Sequence, residues 1–323
     1  MKIIVTGCAG FIGYHLSKAL LKLQHTVIGI DNLNNYYDVQ LKMSRLDELR
    51  IFENFTFEKL DIRDKNDLKK YLRSHSDATS LIHLAAQAGV RYSLENPKTY
   101  INNNVLGQTL LYETIKNEIP NIAHIISSSS SSVYGGNDKI PFSVTDEINK
   151  PLSIYAASKA AGELISHSYH HLYQLPISTV RFFTVYGPYG RPDMTPHLFT
   201  EAILAKKPIT LYDKGKLKRD FTYIDDIING LVGLLNAGYD QETTCFNLGN
   251  TNPIEMKTFV SLLEKHLDKK ARIENVKAPA TEPLETYADI SESKARFNFS
   301  PKTDIEEGLR IYIKWYKKYY HNI

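Results

Sequence analysis

The sequence predicts an α/β fold: a doubly wound, parallel Rossmann-type sheet followed by a smaller, mixed α/β C-terminal domain. Short β-branched runs alternate with helical patterns over roughly the first 135 residues, as in a parallel sheet that helices cover on both faces. A glycine-rich turn follows the first run, and proline and glycine interrupt the pattern from Arg181 onward. We therefore expect domains at residues 1–180 and 181–323, with later segments returning to the first sheet.

In chain order, four continuous apolar runs predict strands of the first sheet, at residues 2–5, 26–30, 81–84 and 122–126. Two amphipathic stretches predict helices between them, at residues 12–22 and 97–116. Two later segments are β-rich enough to join the same sheet, at residues 177–183 and 245–248. In the C-terminal part, we expect a strand at residues 208–212 and a helix at residues 254–266.

The composition argues against several classes of protein. The chain has 323 residues, 42% of them hydrophobic, and a formal net charge of +3, so its core needs no disulfide or metal. Basic and acidic residues are mixed along the chain, which argues against nucleic acid or a membrane surface as partner. No apolar stretch reaches the roughly 18 residues of a spanning helix. Cys8 and Cys245 lie too far apart in sequence for a disulfide framework or a thiolate metal site. We expect a cytoplasmic protein without a metal.

A glycine-rich turn opens the first helix. Gly7, Gly10 and Gly13 are spaced three apart directly after the first strand, where glycine lets backbone N–H groups approach a pyrophosphate. Asp31 ends the next strand, 18 residues beyond Gly13, where an acid binds a ribose diol. Because an acid repels a 2′-phosphate, the segment predicts binding of NAD rather than NADP. The alternative is that Asp31 only caps the turn that follows it.

A tyrosine and a lysine four residues apart form a candidate catalytic pair. Tyr155 and Lys159 share one face if their segment is helical, so the ammonium lies beside the phenol. Tyrosine, with an ordinary pKa of about 10, is a poor base at neutral pH. We expect Lys159 and a positive nicotinamide ring to lower that pKa. Ser130 stands 25 residues before Tyr155, at the end of a hydroxyl-rich strand.

With the glycine turn, Ser130 and the Tyr155–Lys159 pair in this order, the chain resembles the nucleotide-sugar epimerases among the extended short-chain dehydrogenases/reductases. The resemblance spans residues 2–320. It implies that Tyr155 is the base on the sugar 4-hydroxyl, that Lys159 binds the nicotinamide ribose, and that Ser130 shares the hydrogen bond to that hydroxyl. It also implies a homodimer, formed by the helix that carries Tyr155 and the helix at residues 97–116.

Four longer motifs narrow the resemblance to the UDP-glucuronate 4-epimerases: DNLNNYYD at residues 31–38, HLAAQAGVRYS at 83–93, RFFTVYGP at 181–188 and RDFTY at 219–223. By this resemblance the NAD site comprises Gly7, Gly10, Phe11, Ile12, Gly13, Asp31, Asn32, Asn35, Asp61, Ile62, Leu84, Ala85, Ala86, Gln87, Asn104, Tyr155 and Lys159. The UDP-sugar contacts Ser130, Ser132, Tyr155, Thr184, Arg191 and Arg219, with Arg219 on the diphosphate. The loop with Thr281 and Glu282 departs from the family pattern, which leaves its contribution to the site open.

The implied reaction converts UDP-glucuronate to UDP-galacturonate through a transient 4-keto intermediate. A uronate needs a cationic or hydroxyl partner for its carboxylate, and Thr184 and Arg191 are the candidates. Holding that carboxylate also prevents loss of CO₂ from the 4-keto intermediate, which is a β-keto acid. The alternatives are a UDP-glucose 4-epimerase, a UDP-glucuronate decarboxylase and a catalytically silent NAD-binding scaffold. A 4,6-dehydratase is disfavoured, because Ser131 and Ser132 stand where that enzyme carries an acidic pair.

Overall fold

The computed structural model describes residues 1–242, 244–279 and 283–321. The strands are β1 (Lys2–Thr6), β2 (Thr26–Asp31), β3 (Phe55–Lys59), β4 (Ser80–His83), β5 (His124–Ser130), β6 (Ile177–Phe182), β7 (Thr184–Tyr186), β8 (Pro208–Tyr212), β9 (Lys218–Tyr223), β10 (Cys245–Leu248), β11 (Pro253–Glu255), β12 (Arg272–Val276) and β13 (Glu285–Thr286). The α-helices are α1 (Phe11–Lys22), α2 (Val39–Arg50), α3 (Lys65–Arg73), α4 (Tyr92–Glu95), α5 (Pro97–Tyr100), α6 (Gln108–Glu118), α7 (Ile154–Tyr173), α8 (Thr195–Leu204), α9 (Ile224–Ala237), α10 (Met256–Leu267), α11 (Ser291–Phe297) and α12 (Ile305–His321). Thr281 and Glu282, in the atypical loop, lie outside the described residues.

Seven of the described strands form a central parallel sheet in the order β3-β2-β1-β4-β5-β6-β10. The predicted fold class is confirmed. The chain runs outward from β1 to β3 and then returns to β4 on the other side of β1, so the order reverses between β1 and β4. Such a reversal opens a ligand crevice at the carboxyl ends of the strands. The boundary between domains at residue 180 stays a prediction, and β10 from the second part pairs with β6.

Helices cover both faces of this sheet, which is why its strands read as continuous apolar runs. Ile3 and Val5 of β1 belong to the core that α1 and α9 contribute to. Ile4, whose side chain points to the opposite face, packs in the core with Leu68 of α3 and Leu111 of α6. Alternate residues of β1 therefore pack in two separate hydrophobic cores, one on each face of the sheet.

Three predicted elements differ from the observed ones. The strand expected to end at residue 126 continues to Ser130, because β5 keeps pairing with β6 through the serine run. The helix expected at residues 97–116 consists of α5, a π-helical segment at Ile101–Gly107, and α6, a local widening that apolar periodicity does not reveal. The helix expected from residue 254 begins at Met256, because Ile254 pairs with Arg219 in a strand.

The C-terminal elements form two smaller sheets beside the carboxyl edge of the central one. In the first, β9 lies between β11 and β13 and also pairs with β7. In the second, β8 and β12 form a parallel pair. Thr184 begins β7 two residues after β6 ends, so this region starts where the central sheet stops. Within the described ranges, no helix is both long and apolar enough to cross a bilayer.

Candidate active site

A cavity of about 1320 Å³ lies at the carboxyl edge of the central sheet. One wall comes from residues at the ends of four central strands, among them Gly7, Asp31, Leu84 and Ser130. The opposite wall comes from β7, β8, β9 and α8. The cavity is therefore located at the reversal of strand order, where open α/β sheets bind their ligands.

The glycine turn lies at one end of this cavity. Its wall there includes five residues: Gly7, Gly10, Phe11, Ile12 and Gly13. A Cβ on Gly13 would lie 2.1 Å from the carbonyl oxygen of Gly7, so only glycine allows α1 to start this close to the end of β1. The result is a concave backbone surface that a side chain would fill. Its shape at a helix N-terminus fits the diphosphate of NAD.

Asp31 lies buried at the end of β2 and lines the cavity. One carboxylate oxygen accepts the N–H of Ala9 at 3.1 Å, and the other accepts the N–H of Leu33 at 2.8 Å. Asp31 therefore caps the turn and lies in the cavity wall, so the two interpretations of its role are compatible. Burial raises its pKa, and the charge of Lys42 and the two N–H donors oppose that rise.

Asn32, Asp61 and Ile62 continue the wall beyond Asp31. The side-chain amide of Asn32 donates to Asp61 at 3.0 Å, and Arg63 donates three further hydrogen bonds to the same carboxylate, one from its backbone N–H and two from its guanidinium. Hydrogen bonding from Arg63 lowers the pKa of Asp61 to about 2, against the effect of its partial burial. This fixed, charged group lies in the part of the wall that the resemblance assigns to NAD.

Asn35 does not join the cavity wall. Its side chain is exposed, and the neighbouring Asn34 lines the cavity instead. The Lys42 ammonium donates to the carbonyl oxygen of Asn34 at 2.7 Å and to its side-chain oxygen at 3.0 Å. Lys42 thus orients Asn34 in the cavity wall, and the expectation that Asn35 contacts NAD stays a prediction.

Leu84, Ala85, Ala86 and Gln87 form the wall after β4. Asn104, also expected at the cofactor, is buried and does not line the cavity. Its side-chain oxygen accepts the N–H of Gln87 at 2.7 Å, and its amide donates to the Gln87 carbonyl at 3.0 Å and to Ser158 at 2.9 Å. Asn104 therefore fixes the wall from behind rather than forming it.

The first turns of α7 carry the candidate catalytic pair. Ser153 caps this helix, because its hydroxyl accepts the N–H of Ala156 at 3.0 Å. Tyr155 and Lys159 follow one turn apart and both line the cavity. The spacing of four residues therefore does bring the two side chains to one face of a helix.

The carboxyl end of β5 faces this pair. The Lys159 ammonium donates to the carbonyl oxygen of Ser128 at 2.8 Å and to its hydroxyl at 3.2 Å. The hydroxyl of Ser130 donates to that of Ser132 at 3.2 Å, and Ser130 lies close enough to Tyr155 to lower the pKa of that tyrosine. Strand and helix thus bring all three predicted catalytic residues into one cavity; their roles stay predictions.

Burial shifts the pKa of both members of the pair. It lowers the pKa of Lys159 to about 8, and the charge of Glu163 one turn further along opposes that fall. Burial raises the pKa of Tyr155, and the opposing contributions come from Ser130 and Arg191. The Lys159 ammonium is bonded to Ser128, and the expectation that Lys159 and the nicotinamide ring together lower the pKa of Tyr155 stays a prediction.

The candidate carboxylate partners lie on the opposite side of the cavity. Thr184 begins β7, and Arg191 follows in the loop after it; both line the cavity. The Arg191 guanidinium donates to both carboxylate oxygens of Asp193, at 2.9 and 2.6 Å. Arg191 lowers and Asp193 raises the pKa of Tyr155, so this ion pair acts electrostatically on the candidate base.

Arg219 lies on β9 and lines the far end of the cavity. Its guanidinium donates to the carbonyl oxygens of Lys218 and Pro283, each at 2.8 Å. The cavity wall near it is mainly apolar and aromatic, with Phe199, Ile209, Leu211, Tyr212, Leu217, Phe221 and Met256. The guanidinium in an apolar cleft suits a diphosphate with an attached base.

Several wall residues were not found from the sequence. Tyr36 and Asp193 meet in the cavity, where the tyrosine hydroxyl donates to the carboxylate at 2.9 Å. Tyr36 stands in the DNLNNYYD motif and Asp193 two residues after Arg191, so each was near a recognised signal. The apolar wall comes from β8, β9, α8 and α10, and no local spacing unites residues from such distant segments.

Comparisons with known proteins agree with this geometry. A family model described as GDP-mannose 4,6 dehydratase matches residues 4–312. UDP-glucuronate 4-epimerase 1 of Arabidopsis thaliana is 46% identical over 99% of this chain and 77% of its own length. Protein CapI of Staphylococcus aureus is 43% identical over 99% of both chains. The UDP-glucuronic acid 4-epimerase of Bacillus cereus, in complex with UDP-glucuronic acid and NAD, is 36% identical with a TM-score of 0.90, covering 99% of this chain and 100% of its own. The chain therefore belongs to the GDP-mannose 4,6-dehydratase family, within the extended short-chain dehydrogenases/reductases.

Proposed function

We propose that this chain is an NAD-dependent UDP-glucuronate 4-epimerase, which interconverts UDP-glucuronate and UDP-galacturonate. The observation that carries the proposal is that Ser130, Tyr155, Lys159 and Arg191 line one cavity. The first three are the groups that remove a proton from a sugar hydroxyl, and Arg191 offers a positive charge to a carboxylate. The names of the Arabidopsis and Bacillus relatives specify this activity, at 46% and 36% identity.

The residues of the chain divide the work of the reaction. When bound, NAD supplies a hydride acceptor at sugar C4 and, once reduced, a hydride donor. Tyr155 takes the proton of the 4-hydroxyl while Ser130 holds its oxygen, and the Lys159 ammonium stabilises the phenolate. After the 4-keto sugar has rotated in the cavity to present its other face, Tyr155 returns the proton to the 4-oxygen. The net redox change is zero, so cofactor is not consumed.

Selection of a uronate rests on the wall opposite Tyr155. Arg191 and Thr184 there provide a cation and a hydroxyl for the carboxylate at C5, and Arg219 offers a second cation for the diphosphate of the same substrate. A glucose derivative has no charge at C6, so a UDP-glucose 4-epimerase has no use for this arginine. The charge of Arg191 in the cavity therefore favours the uronate.

A dehydratase activity, for which the family model is named, fits this cavity less well. Elimination of water across C5 and C6 needs a general acid and a base beside the active-site hydroxyl. Here Ser131 and Ser132 line that part of the cavity, and a serine hydroxyl does neither task at neutral pH. The serines therefore favour epimerisation over dehydration.

The proposal extends to a homodimer in the cytoplasm. The outer surfaces of α7 and of the helical segment at residues 97–118 expose large apolar side chains: Ile101, Leu106, Leu164, Leu172 and Tyr173. Leu164 and Leu172 are each 65% exposed, which is unusual for a helix face that meets only water. Pairing of two such faces would bury them in a four-helix interface. In the cytoplasm the enzyme would have access to its nucleotide-sugar substrate.

Proton NMR of the purified protein with UDP-glucuronate, with and without added NAD, tests the proposal. The expected result is UDP-galacturonate without accumulation of NADH. A UDP-pentose as the only product would instead identify a decarboxylase, and turnover of UDP-glucose alone would identify a UDP-glucose 4-epimerase. Bound NAD without turnover of either sugar would identify a silent scaffold.

A further inference from the structure

Asp193 is a carboxylate in the wall of a cavity proposed to accept a second carboxylate, and the mechanism above gives it no role. Its two oxygens accept from Nε and Nη2 of Arg191, at 2.9 and 2.6 Å. The side chains of Arg191 and Asp193 are 20% and 27% exposed. Such a two-bond pair fixes the plane of the guanidinium. It also weakens the attraction of Arg191 for another anion, so recruitment of substrate is not what Asp193 contributes.

Tyr36 holds Asp193 from the other side. Its hydroxyl donates to Asp193 at 2.9 Å, and its ring packs 4.8 Å from that of Tyr92. Gly89 makes room for this contact, because a Cβ there would lie 2.3 Å from the Tyr36 hydroxyl and the backbone has a φ of +101°. Burial raises the pKa of Asp193, but the donors from Arg191 and Tyr36 outweigh burial and lower it. Asp193 is therefore a fixed anion.

These contacts leave Arg191 with one orientation. A guanidinium has five N–H groups, and Asp193 engages two of them; within the described residues no other acceptor does so. The remaining edge can bind a substrate carboxylate while the first edge stays locked. A single arginine on a flexible stem would follow the carboxylate into many orientations, whereas a locked one holds it in a fixed orientation whenever the two groups are bound.

Immobility of the carboxylate matters at the 4-keto stage. Decarboxylation breaks the C5–C6 bond, and its electron pair enters the C4 carbonyl to give an enolate. CO₂ then leaves, and C5 later takes a proton. The step requires the C5–C6 bond to stand perpendicular to the carbonyl plane, so a carboxylate held away from that alignment does not leave.

We propose that Asp193 and Tyr36 are positioning residues, which lock Arg191 in the orientation that keeps the 4-keto intermediate from losing CO₂. This inference rests on the proposed function. Asp193→Asn preserves size and removes the charge, and Tyr36→Phe removes only the hydroxyl that holds Asp193. Tyr92→Phe is the matched control, because it removes a phenol hydroxyl from the neighbouring ring.

The test is the ratio of UDP-pentose to UDP-galacturonate formed from UDP-glucuronate, measured by proton NMR with NADH absorbance. We expect the ratio to rise about tenfold in Asp193→Asn and about threefold in Tyr36→Phe. Only a small change in the difference between the activation free energies of CO₂ loss and of epimerisation is needed for such a rise. Tyr92→Phe should keep the wild-type ratio. A role in folding alone would lower the total turnover and leave the ratio unchanged.

If Asp193→Asn does not fold, the product ratio of Tyr36→Phe tests the inference, since Tyr36→Phe removes a single oxygen atom. Wild-type ratios in folded, NAD-binding variants at both positions overturn this inference alone. A wild-type enzyme that leaves UDP-glucuronate unchanged overturns the proposed function, and the inference falls with it.

Discussion

Burial of Lys159 sets the electrostatics of the candidate base. Its side chain is almost fully enclosed, and the desolvated ammonium has a pKa lowered to about 8. Below that pH the lysine is charged and can stabilise the phenolate of Tyr155; above it the charge is lost. Glu163 opposes this loss through its negative charge. A local sequence pattern identifies the pair, but the surroundings decide the pH range in which Lys159 is charged.

The turnover of the wild-type enzyme should therefore fall as the pH rises through about 8. Replacing Glu163 by Gln removes the charge that supports the Lys159 ammonium, so we expect the basic limb of the kcat profile to move to lower pH. Steady-state rates measured from pH 6 to 10 would locate the basic limb of the kcat profile in the wild type and in Glu163→Gln. A basic limb that does not move in Glu163→Gln contradicts the assignment of that limb to Lys159.

The control for this variant is Glu307→Gln, which removes an exposed carboxylate paired with Arg310 and should leave the profile unchanged. Glu163 also pairs with the buried Arg181 at 2.7 Å. We therefore expect Glu163→Gln to lose about 3 kcal/mol of unfolding free energy as well. Rates must be normalised to the folded fraction, so that stability and pH dependence are separated.

Tyr155→Phe tests the base itself. Loss of the hydroxyl should lower kcat by about a hundredfold to ten-thousandfold, whereas affinity for NAD should change little, because the glycine turn and Asp31 are untouched. Rates by NMR and NAD affinity by calorimetry would measure the two effects. Tyr92→Phe serves again as the control with an intact base. Unimpaired turnover in Tyr155→Phe would contradict the mechanism.

At the scale of single elements, the turn between β1 and α1 depends on close backbone packing. Gly10 donates its N–H to the Gly7 carbonyl at 2.9 Å, and a Cβ on Gly13 would meet that same oxygen. The helix α7 depends instead on its cap at Ser153. Both elements start at the cavity, so each positions functional groups through its first turn.

Gly13→Ala should abolish copurification of NAD, because the first turn of α1 must move away from Gly7 to admit the methyl group. Gly136→Ala is the matched control, since the nearest heavy atom to a Cβ there lies 3.6 Å away. The NAD content of the purified proteins, measured after denaturation, would compare them. Full NAD occupancy in Gly13→Ala would exclude the turn as the diphosphate site.

At the scale of the whole molecule, the cavity exists only because the central sheet meets the two smaller sheets. The central sheet contributes the glycine turn and the Tyr155 side, and the smaller sheets contribute Thr184 and Arg219. Opposite this cleft lies the apolar outer surface of α7 proposed as a dimer interface. One helix therefore carries the catalytic pair on its inner face and the interface on its outer face.

Leu164→Glu should convert the proposed dimer to a monomer, because it introduces a charge into the centre of that apolar face. Size-exclusion chromatography with light scattering would measure the mass. Leu23→Glu is the control, as Leu23 is also exposed, at the end of α1, and should leave the mass unchanged. A dimer that persists in Leu164→Glu would rule out this interface.

The sequence by itself determined what depends on local spacing. Continuous apolar runs predicted the strands of the sheet, and amphipathic stretches predicted its helices. The spacings of Gly7 to Gly13 and of Tyr155 to Lys159 indicated the dinucleotide turn and the catalytic pair. These features hold because chain geometry links residues a few positions apart. The serine run was placed only in part, because pairing with β6, not local propensity, extends β5 to Ser130.

The tertiary structure decided everything that depends on burial or on distant partners. It turned Asn34 rather than Asn35 to the cavity, placed Asn104 behind the wall, and lowered the pKa of Lys159. It also brought Tyr36 to Asp193 across 157 positions of sequence. The physical reason is that desolvation and hydrogen bonding act through space, and only folding determines which groups are close together and which are excluded from water.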